Sequence, residues 1–125
     1  MDPDFLSLED ILRLHERSLN EHGGSAGIRD QGAIESALHA PQADFFYRQA
    51  DLFGMAAAYA FHIAEAQAFI DGNKRTAITA ALTFLELNGI NAKADADPLY
   101  DAMIAIAEKR LDKPGLAARF RELFA

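Results

Sequence analysis

Two consecutive apolar segments in the middle of the chain constrain its fold more than any other feature of the sequence. Residues 52–70 contain no Asp, Lys or Arg, and only His62 and Glu65 can carry a charge near neutral pH. Residues 73–88 would carry apolar side chains nearly all round a helix: Ala77, Ile78, Ala80, Ala81, Leu82, Phe84, Leu85 and Leu87. A helix that is apolar on every side is packed on several sides. The second segment therefore predicts a central helix, with another helix, from about residue 51 to 67, immediately before it.

The composition favours helices over strands throughout the chain. Of the 125 residues, 25 are Ala and 14 are Leu, whereas Val is absent and only 3 are Thr. Ala and Leu are strong helix formers, while Val and Thr are typical of strands. The length suits one domain with a buried core, and no linker or repeat divides it. We therefore predict an all-α fold in a single domain of residues 1–125, a compact bundle of about six helices around the central apolar helix.

Local signals place the helices nearer the two ends of the sequence. Ser7, with an acidic residue three positions later, predicts the start of the first helix, and Gly23-Gly24 predicts its end. Asp97-Pro98 combines an N-cap with a proline at the first helical position and predicts the start of a further helix. A closing helix is expected over residues 116–124. Residues 90–94 are a candidate for one short extended segment.

The second helix is expected to be short. Asp30 is a suitable N-cap, and Pro41 predicts that the helix stops there, because proline disfavours helical backbone at the residue before it. Residues 41–50, with the aromatic run Phe45-Phe46-Tyr47, are then expected to form a connecting loop that lies over a groove.

Net charge and residue usage exclude several classes of protein. The chain has 19 acidic and 12 basic residues and a formal net charge of −7, which argues against coating nucleic acid or an anionic membrane. The absence of Cys excludes a disulfide scaffold, a thiolate zinc site and a cysteine nucleophile. The acidic N-terminus lacks the pattern of a signal peptide, and the Ala-rich residues 52–70 predict a core helix. We expect a cytoplasmic protein that binds no nucleic acid directly and no membrane.

A polar segment joins the two most apolar helices: Phe69-Ile70-Asp71-Gly72-Asn73-Lys74-Arg75-Thr76. Polar groups buried there are costly unless something binds to them. Gly72 permits a tight turn, after which the unpaired amides of Asn73 to Thr76 point, with the positive end of the helix dipole, toward one spot. Lys74 and Arg75 add positive charge, and Asp71 can hold a magnesium ion. The segment therefore predicts a phosphate site, although a plain capped helix start with solvated cations accounts for the same residues.

The string Gln67-Ala68-Phe69-Ile70-Asp71-Gly72-Asn73-Lys74-Arg75-Thr76 resembles the Fic/Doc family motif H-x-F-x-D-G/A-N-K-R in all but its first position. Further segments are similar to the Doc (death-on-curing) branch: Leu14-His15-Glu16, Gly23-Gly24, Gly27-Ile28-Arg29-Asp30, Glu35-Ser36-Ala37 and Phe84-Leu85-Glu86-Leu87-Asn88-Gly89. Family members that transfer AMP have Gly where this chain has Lys74 and a second Arg where it has Ile78. These differences favour the Doc branch.

For a Doc-like protein, the resemblance implies the toxin of a toxin–antitoxin pair. Such a toxin uses magnesium ATP to phosphorylate a threonine of translation elongation factor Tu and so inhibits translation. Its partner is a Phd-like antitoxin, whose C-terminal segment folds as a helix into a groove of the toxin. By position, the resemblance implies that Asn73, Lys74 and Arg75 hold the ATP phosphates, that Asp71 binds Mg²⁺, and that Phe69 anchors the loop.

Gln67 stands at the position of the family's catalytic histidine, which takes the proton from the attacking hydroxyl. An amide has no protonation equilibrium near neutral pH, so Gln67 can only orient a hydroxyl or hydrogen-bond a phosphate. Three explanations are open: an introduced inactivating change, a natural nucleotide-binding or antitoxin-binding pseudoenzyme, and an active variant with a different base. A Fic-like AMP transferase is a further alternative.

None of the four histidines is predicted to replace the missing base. His62 lies five residues before Gln67, about 140° around a helix of 3.6 residues per turn, and should face away from the loop. His15, His22 and His39 are remote in sequence, and His15 is expected to be structural. The competing functional class is an interaction protein without chemistry, in which Phe45-Phe46-Tyr47 contacts a partner.

Overall fold

The fold is an all-α bundle, as predicted. A computed structural model describes residues 2–93 and 97–125, apart from the side chains at 97 and 98. It contains six helices, which are α1 (Leu8–His22), α2 (Gln31–Arg48), α3 (Leu52–Ala66), α4 (Asn73–Leu87), α5 (Asp97–Ala107) and α6 (Lys113–Phe124). Among the described residues, the only β pairing is an isolated antiparallel bridge between Ile28 and Phe69.

Helices α3 and α4 occupy the centre together. Helix α3 packs against α2, α4, α5 and α6, and α4 packs against α1, α3 and α5. Tyr59 of α3 and Phe84 of α4 are fully buried, with ring centroids 5.0 Å apart. The Tyr59 hydroxyl accepts a hydrogen bond from the Leu6 amide at 2.9 Å, and burial raises the pKa of Tyr59 to about 12. The apolar segments therefore form the core that their sequence predicts.

Most of the predicted helix starts carry the expected caps. Ser7 and Asp10 form a complete capping box on α1, and Gly23 follows its last residue. Asp30 accepts a hydrogen bond from the Ala33 amide at the start of α2. The predicted cap at Asp97-Pro98 lies outside the described side chains. No strand forms over residues 90–93, and residue 94 of that predicted extended segment lies outside the described residues.

The prediction that Pro41 ends the second helix is wrong. Helix α2 continues through Pro41 to Arg48, so residues 41–48 form its second half and not a loop. A proline inside a helix removes one backbone hydrogen bond. Here burial on the same helix offsets that loss, because Pro41 is fully buried and Phe45 packs against Phe5 with ring centroids 6.2 Å apart. Tertiary packing overrides the local signal.

None of the described helices is both long enough and apolar enough to cross a membrane.

Candidate functional site

The loop between α3 and α4 is closed by its own side chains. Gln67 ends α3 in the left-handed conformation, with φ 45° and ψ 42°. The Asn73 side chain reaches back across the loop, where its Oδ1 accepts from the Phe69 amide and its Nδ2 donates to the Phe69 carbonyl, both at 3.0 Å. The Asn73 side chain therefore holds the loop in shape, and its backbone amide is the part that remains for a ligand.

Phe69 and His15 fix the loop to helix α1. Phe69 is 1% exposed, and the His15 ring stacks on it with a centroid distance of 3.7 Å and an interplanar angle of 12°. His15 Nε2 donates to the Asp71 carbonyl at 2.8 Å. Because a carbonyl only accepts, this contact requires the proton on Nε2. His15 thus holds the turn that leads into α4.

The connection between α1 and α2, residues 23–30, is called the strap below, and it holds the same loop from the other side. The Ile70 amide donates to the Gly27 carbonyl at 3.1 Å, and the amides of Arg29 and Asp30 both donate to the Ala68 carbonyl. Gly24 and Gly27 have φ values of +119° and +131°, which side chains rarely adopt. These two glycines allow the strap to pass close to the loop.

The first turn of α4 presents unpaired backbone donors. Gly72 precedes the helix with φ 80° and ψ 17°, and no side chain caps the turn. The Thr76 amide donates to the Gly72 carbonyl at 3.0 Å. The amides of Asn73, Lys74 and Arg75 have no acceptor among the described residues. With the helix dipole behind them, these amides have the arrangement that suits an anion.

These amides open into a cleft of about 410 Å³ between α1 and α4, called the cleft below. Its lining joins the predicted site segment to the end of α1 and to α5: Ser18, His22, Gly23, Gly24, Ile70, Asp71, Gly72, Asn73, Lys74, Arg75 and Tyr100. The Arg75 guanidinium carbon lies 5.2 Å from the centroid of the Tyr100 ring, within reach of a cation–π contact. The structure therefore brings Asp71 to Arg75 together around one concave surface.

Asp71 is the residue at this site that would hold a magnesium ion. Its Oδ1 accepts from the Gly72 amide at 2.9 Å and its Oδ2 from the Ser25 amide at 3.2 Å, so the exposed carboxylate is held at the edge of the cleft. The described residues contain no cluster of three or more His, Cys, Asp or Glu side chains able to hold a metal. Mg²⁺ is commonly held by one or two carboxylates together with phosphates and water, and Asp71 suits that arrangement.

Two predicted site residues lie away from the cleft. The Thr76 side chain is fully buried, and its Oγ1 has no hydrogen-bond partner among the described residues. Gln67 lines a neighbouring space of about 280 Å³, called the chamber below, which is bordered by Ala64, Glu65, Gln67, Asn73, Lys74, Met103, Ile106, Ala107 and Lys109. Among the residues that the structure describes, only Asn73 and Lys74 line both the cleft and the chamber.

His62 faces away from the loop, as its helical position predicts. Its Nε2 lies 3.1 Å from Lys113 Nζ, which also donates to Asp44 Oδ2 at 3.0 Å. Burial, and then the Lys113 charge, hold the pKa of His62 below its ordinary value. His39 is exposed on α2. His22 lines the cleft, a position that the sequence did not reveal.

Comparison with known proteins identifies the family. Residues 5–85 match the sequence profile of the Fic/DOC family. The chain belongs to the Fic/DOC family. Protein kinase doc of Escherichia phage P1 is 32% identical to it over 120 residues, which cover 95% of this chain and 94% of the relative. Toxin Doc of Mycolicibacterium smegmatis is 36% identical over 119 residues, which cover 92% and 89%. The similarity to Doc proteins therefore extends past the family profile into the C-terminal helices of this Fic/DOC chain.

Proposed function

We propose that this Fic/DOC protein is a Doc-like toxin whose site transfers the terminal phosphate of magnesium ATP to a threonine of translation elongation factor Tu, which inhibits translation. The observation that carries the proposal is the first turn of α4. Its three unpaired amides and two cationic side chains face a cleft large enough for a nucleotide, with Asp71 at the edge. The similarity to a Doc protein that is named a kinase supports phosphate transfer.

In this proposal, phosphate oxygens accept hydrogen bonds from the amides of residues 73–75. The Arg75 guanidinium can bind two oxygens at once, and Lys74 adds a compact charge. Asp71 holds Mg²⁺, which when bound neutralises charge on the phosphates. Thr76 takes no direct part, because it is buried beneath the turn.

Lys74 and Ile78 support phosphate transfer over the alternative of AMP transfer. Family enzymes that transfer AMP have Gly and Arg at these two positions. Ile78 has an apolar side chain and is buried at 3% exposed. This position therefore supplies no second cation to the phosphates. Lys74 places its charge on the wall shared by the cleft and the chamber.

Gln67 reduces the expected rate, because it stands where the family has a base. Positioned proton transfer typically contributes about a hundredfold to ten-thousandfold. We therefore expect a slow kinase in this chain. The alternative is a pseudoenzyme that binds nucleotide or antitoxin without transfer.

Exposed aromatic side chains on α2 support a protein partner. Phe46 is 57% exposed and Tyr47 is 87% exposed near the end of the helix, and clustered exposed apolar groups are typical of interaction surfaces. We propose a Phd-like antitoxin in the cytoplasm as the partner that covers them.

The decisive experiment compares this chain with Gln67→His, using purified elongation factor Tu and ATP labelled at the terminal or at the first phosphate. We expect terminal label on the factor, with a rate about a hundredfold higher in Gln67→His. Lys74→Ala, made in each of the two chains, gives the background level of label transfer that remains without a working phosphate site.

Transfer of the first phosphate would overturn the proposal in favour of AMP transfer. Equal rates in the two chains would show that Gln67 does not limit the reaction. No transfer by either chain, with ATP still bound, would favour the pseudoenzyme.

A further inference from the structure

The cleft and the chamber lie on two sides of the first turn of α4. The cleft is bordered by the end of α1, and the chamber by the ends of α3 and α5, while Asn73 and Lys74 line both. In phosphoryl transfer, the attacking and leaving oxygens lie roughly in line on opposite sides of phosphorus. Because Asn73 and Lys74 border both spaces, an acceptor in the chamber would lie next to a phosphate held at this turn.

The chamber suits a hydroxyl-bearing side chain. Part of its lining is apolar, from Ala64, Met103, Ile106 and Ala107, and its polar groups include the Gln67 amide. A threonine side chain has the same two characters, a methyl group and a hydroxyl. The accepting residue can thus enter on the side where Gln67 lies.

Glu65 is the one carboxylate among the described residues that line the chamber. The described residues that line the chamber carry three ionisable side chains: Glu65, Lys74 and Lys109. An ammonium group has no acceptor site, whereas a carboxylate accepts through both oxygens. Asp71 lines the cleft and not the chamber. Glu65 is exposed at the last turn of α3, so its side chain has room to turn toward a bound hydroxyl.

We propose that Glu65 is a catalytic residue of this chain, which takes the proton from an acceptor hydroxyl bound in the chamber; the inference rests on the proposed kinase function. The hydroxyl oxygen bonds to the terminal phosphorus, the bond from that phosphorus to the bridging oxygen breaks, and ADP leaves. The hydroxyl proton passes to the Glu65 carboxylate. Gln67 orients the hydroxyl through its amide.

A carboxylate suits this reaction because the transition state of phosphoryl transfer is loose and demands little from the base. Protein kinases use an aspartate to accept the substrate hydroxyl proton. With Gln67 at the position of the family histidine, the hydroxyl proton can therefore still be accepted if a carboxylate borders the chamber. Glu65 is the carboxylate on that border.

The test measures terminal-phosphate transfer in four chains: the parent, Glu65→Gln, Gln67→His and the double variant. We expect Glu65→Gln to lower the parent's kcat by about tenfold or more, with a change in KM for ATP of less than about twofold. In the Gln67→His background, the same change should lower kcat by a clearly smaller factor, because the histidine then takes the proton. Glu122→Gln on α6, an exposed residue outside both spaces, is the matched control.

Each result decides the inference. An equal loss in both backgrounds would overturn it, because Glu65 would then act independently of the base. It would also be overturned if the parent showed no transfer above its Lys74→Ala background while Gln67→His did transfer. If neither chain transfers phosphate, the proposed function fails and the inference with it. Melting temperatures of all variants, with and without magnesium ATP, separate loss of chemistry from loss of folding or of nucleotide binding.

Discussion

Lys74 and Arg75 are neighbours in the sequence but have different surroundings. Arg75 lines the cleft with its guanidinium over Tyr100, whereas Lys74 lines both the cleft and the chamber. Both lie within the first turn of α4, where the free amides already favour an anion. The two side chains should therefore act together on phosphate oxygens while they differ in what else they contact.

Replacing both cations, Lys74→Ala with Arg75→Ala, should abolish stabilisation by magnesium ATP. A ligand that binds only the folded state raises stability by about 2.7 kcal/mol at a hundred times its Kd. The measurement is the shift in melting temperature on adding magnesium ATP. Lys93→Ala with Arg119→Ala removes the same charge from exposed positions away from the cleft and should leave the shift intact. An undiminished shift in the first variant would contradict the assignment of the phosphate site.

The sequence predicted only part of the site at the scale of residues. The run from Asp71 to Arg75 could be predicted because its chemistry is local: a turn, a helix start and two cations. Ser18, His22 and Tyr100 could not, because they reach the cleft only through the packing of α1 and α5 against α4. Thr76 was predicted as a site residue, but it does not line the cleft. It is the fourth residue of α4, and its side chain is buried in the core.

At the scale of elements, the strap between α1 and α2 sets how closely the loop is held. A Cβ atom on Gly24 would lie 2.8 Å from Asp71 Oδ2, whereas a Cβ atom on Gly23 would meet nothing within 4 Å. Both glycines have positive φ. The two positions therefore share a backbone conformation that disfavours a side chain, but only at Gly24 would an added Cβ atom collide with Asp71.

Gly24→Ala should therefore destabilise the protein more than Gly23→Ala. Each substitution should cost roughly 1–3 kcal/mol through its backbone conformation, and Gly24→Ala should cost more because its Cβ displaces the Asp71 carboxylate. The measurement is the free energy of unfolding from urea titration, with Gly23→Ala as the matched control. Equal losses would show that the strap does not press on Asp71.

A second element-scale contact joins α2, α3 and α6. Lys113 of α6 lies between Asp44 of α2 and His62 of α3, at 3.0 and 3.1 Å, and Arg48 pairs with the other Asp44 oxygen at 3.7 Å. Protonation of His62 would place a second positive charge against the Lys113 ammonium. Burial and this charge together keep the pKa of His62 below its ordinary value.

Stability should consequently fall as the pH drops below about 6.5, the ordinary pKa of histidine. The unfolded chain binds the His62 proton at a higher pH than the folded chain, so the contribution of neutral His62 is complete above that pH and is lost below it. Urea midpoints measured from pH 5 to 8 should show a smaller fall for His62→Gln than for the exposed control His39→Gln. Parallel curves would mean that this contact does not titrate.

Pro41 shows why element boundaries are less predictable than element type. The apolar content of residues 52–70 and 73–88 predicted both helices, because their burial is a property of their own residues. The fate of α2 beyond Pro41 depended on Phe5 and Lys113, which lie far away in the sequence. Pro41 gives only a local preference for ending the helix, and packing against remote residues determined where α2 ends.

At the scale of the whole molecule, the net charge and the candidate site have opposite signs. The chain carries −7 overall, while the cleft concentrates two cations and three free amides in one helical turn. At 0.1 M salt the screening length is about 10 Å. A ligand as small as a nucleotide therefore experiences mainly the local site, whereas a long polyanion experiences the acidic surface as well.

The chain should accordingly bind magnesium ATP but not duplex DNA at 0.1 M salt. Affinity for DNA arises mainly from many phosphate contacts that release counterions, and one turn of α4 supplies only a few. The measurement is fluorescence anisotropy of a labelled duplex of about three helical turns, compared with binding of a labelled ATP analogue under the same conditions. Lys74→Ala with Arg75→Ala should abolish the nucleotide signal without affecting the DNA baseline. Duplex binding comparable to that of ATP would show that the acidic surface does not repel polyanions, and it would overturn the exclusion of nucleic acid that the net charge predicts.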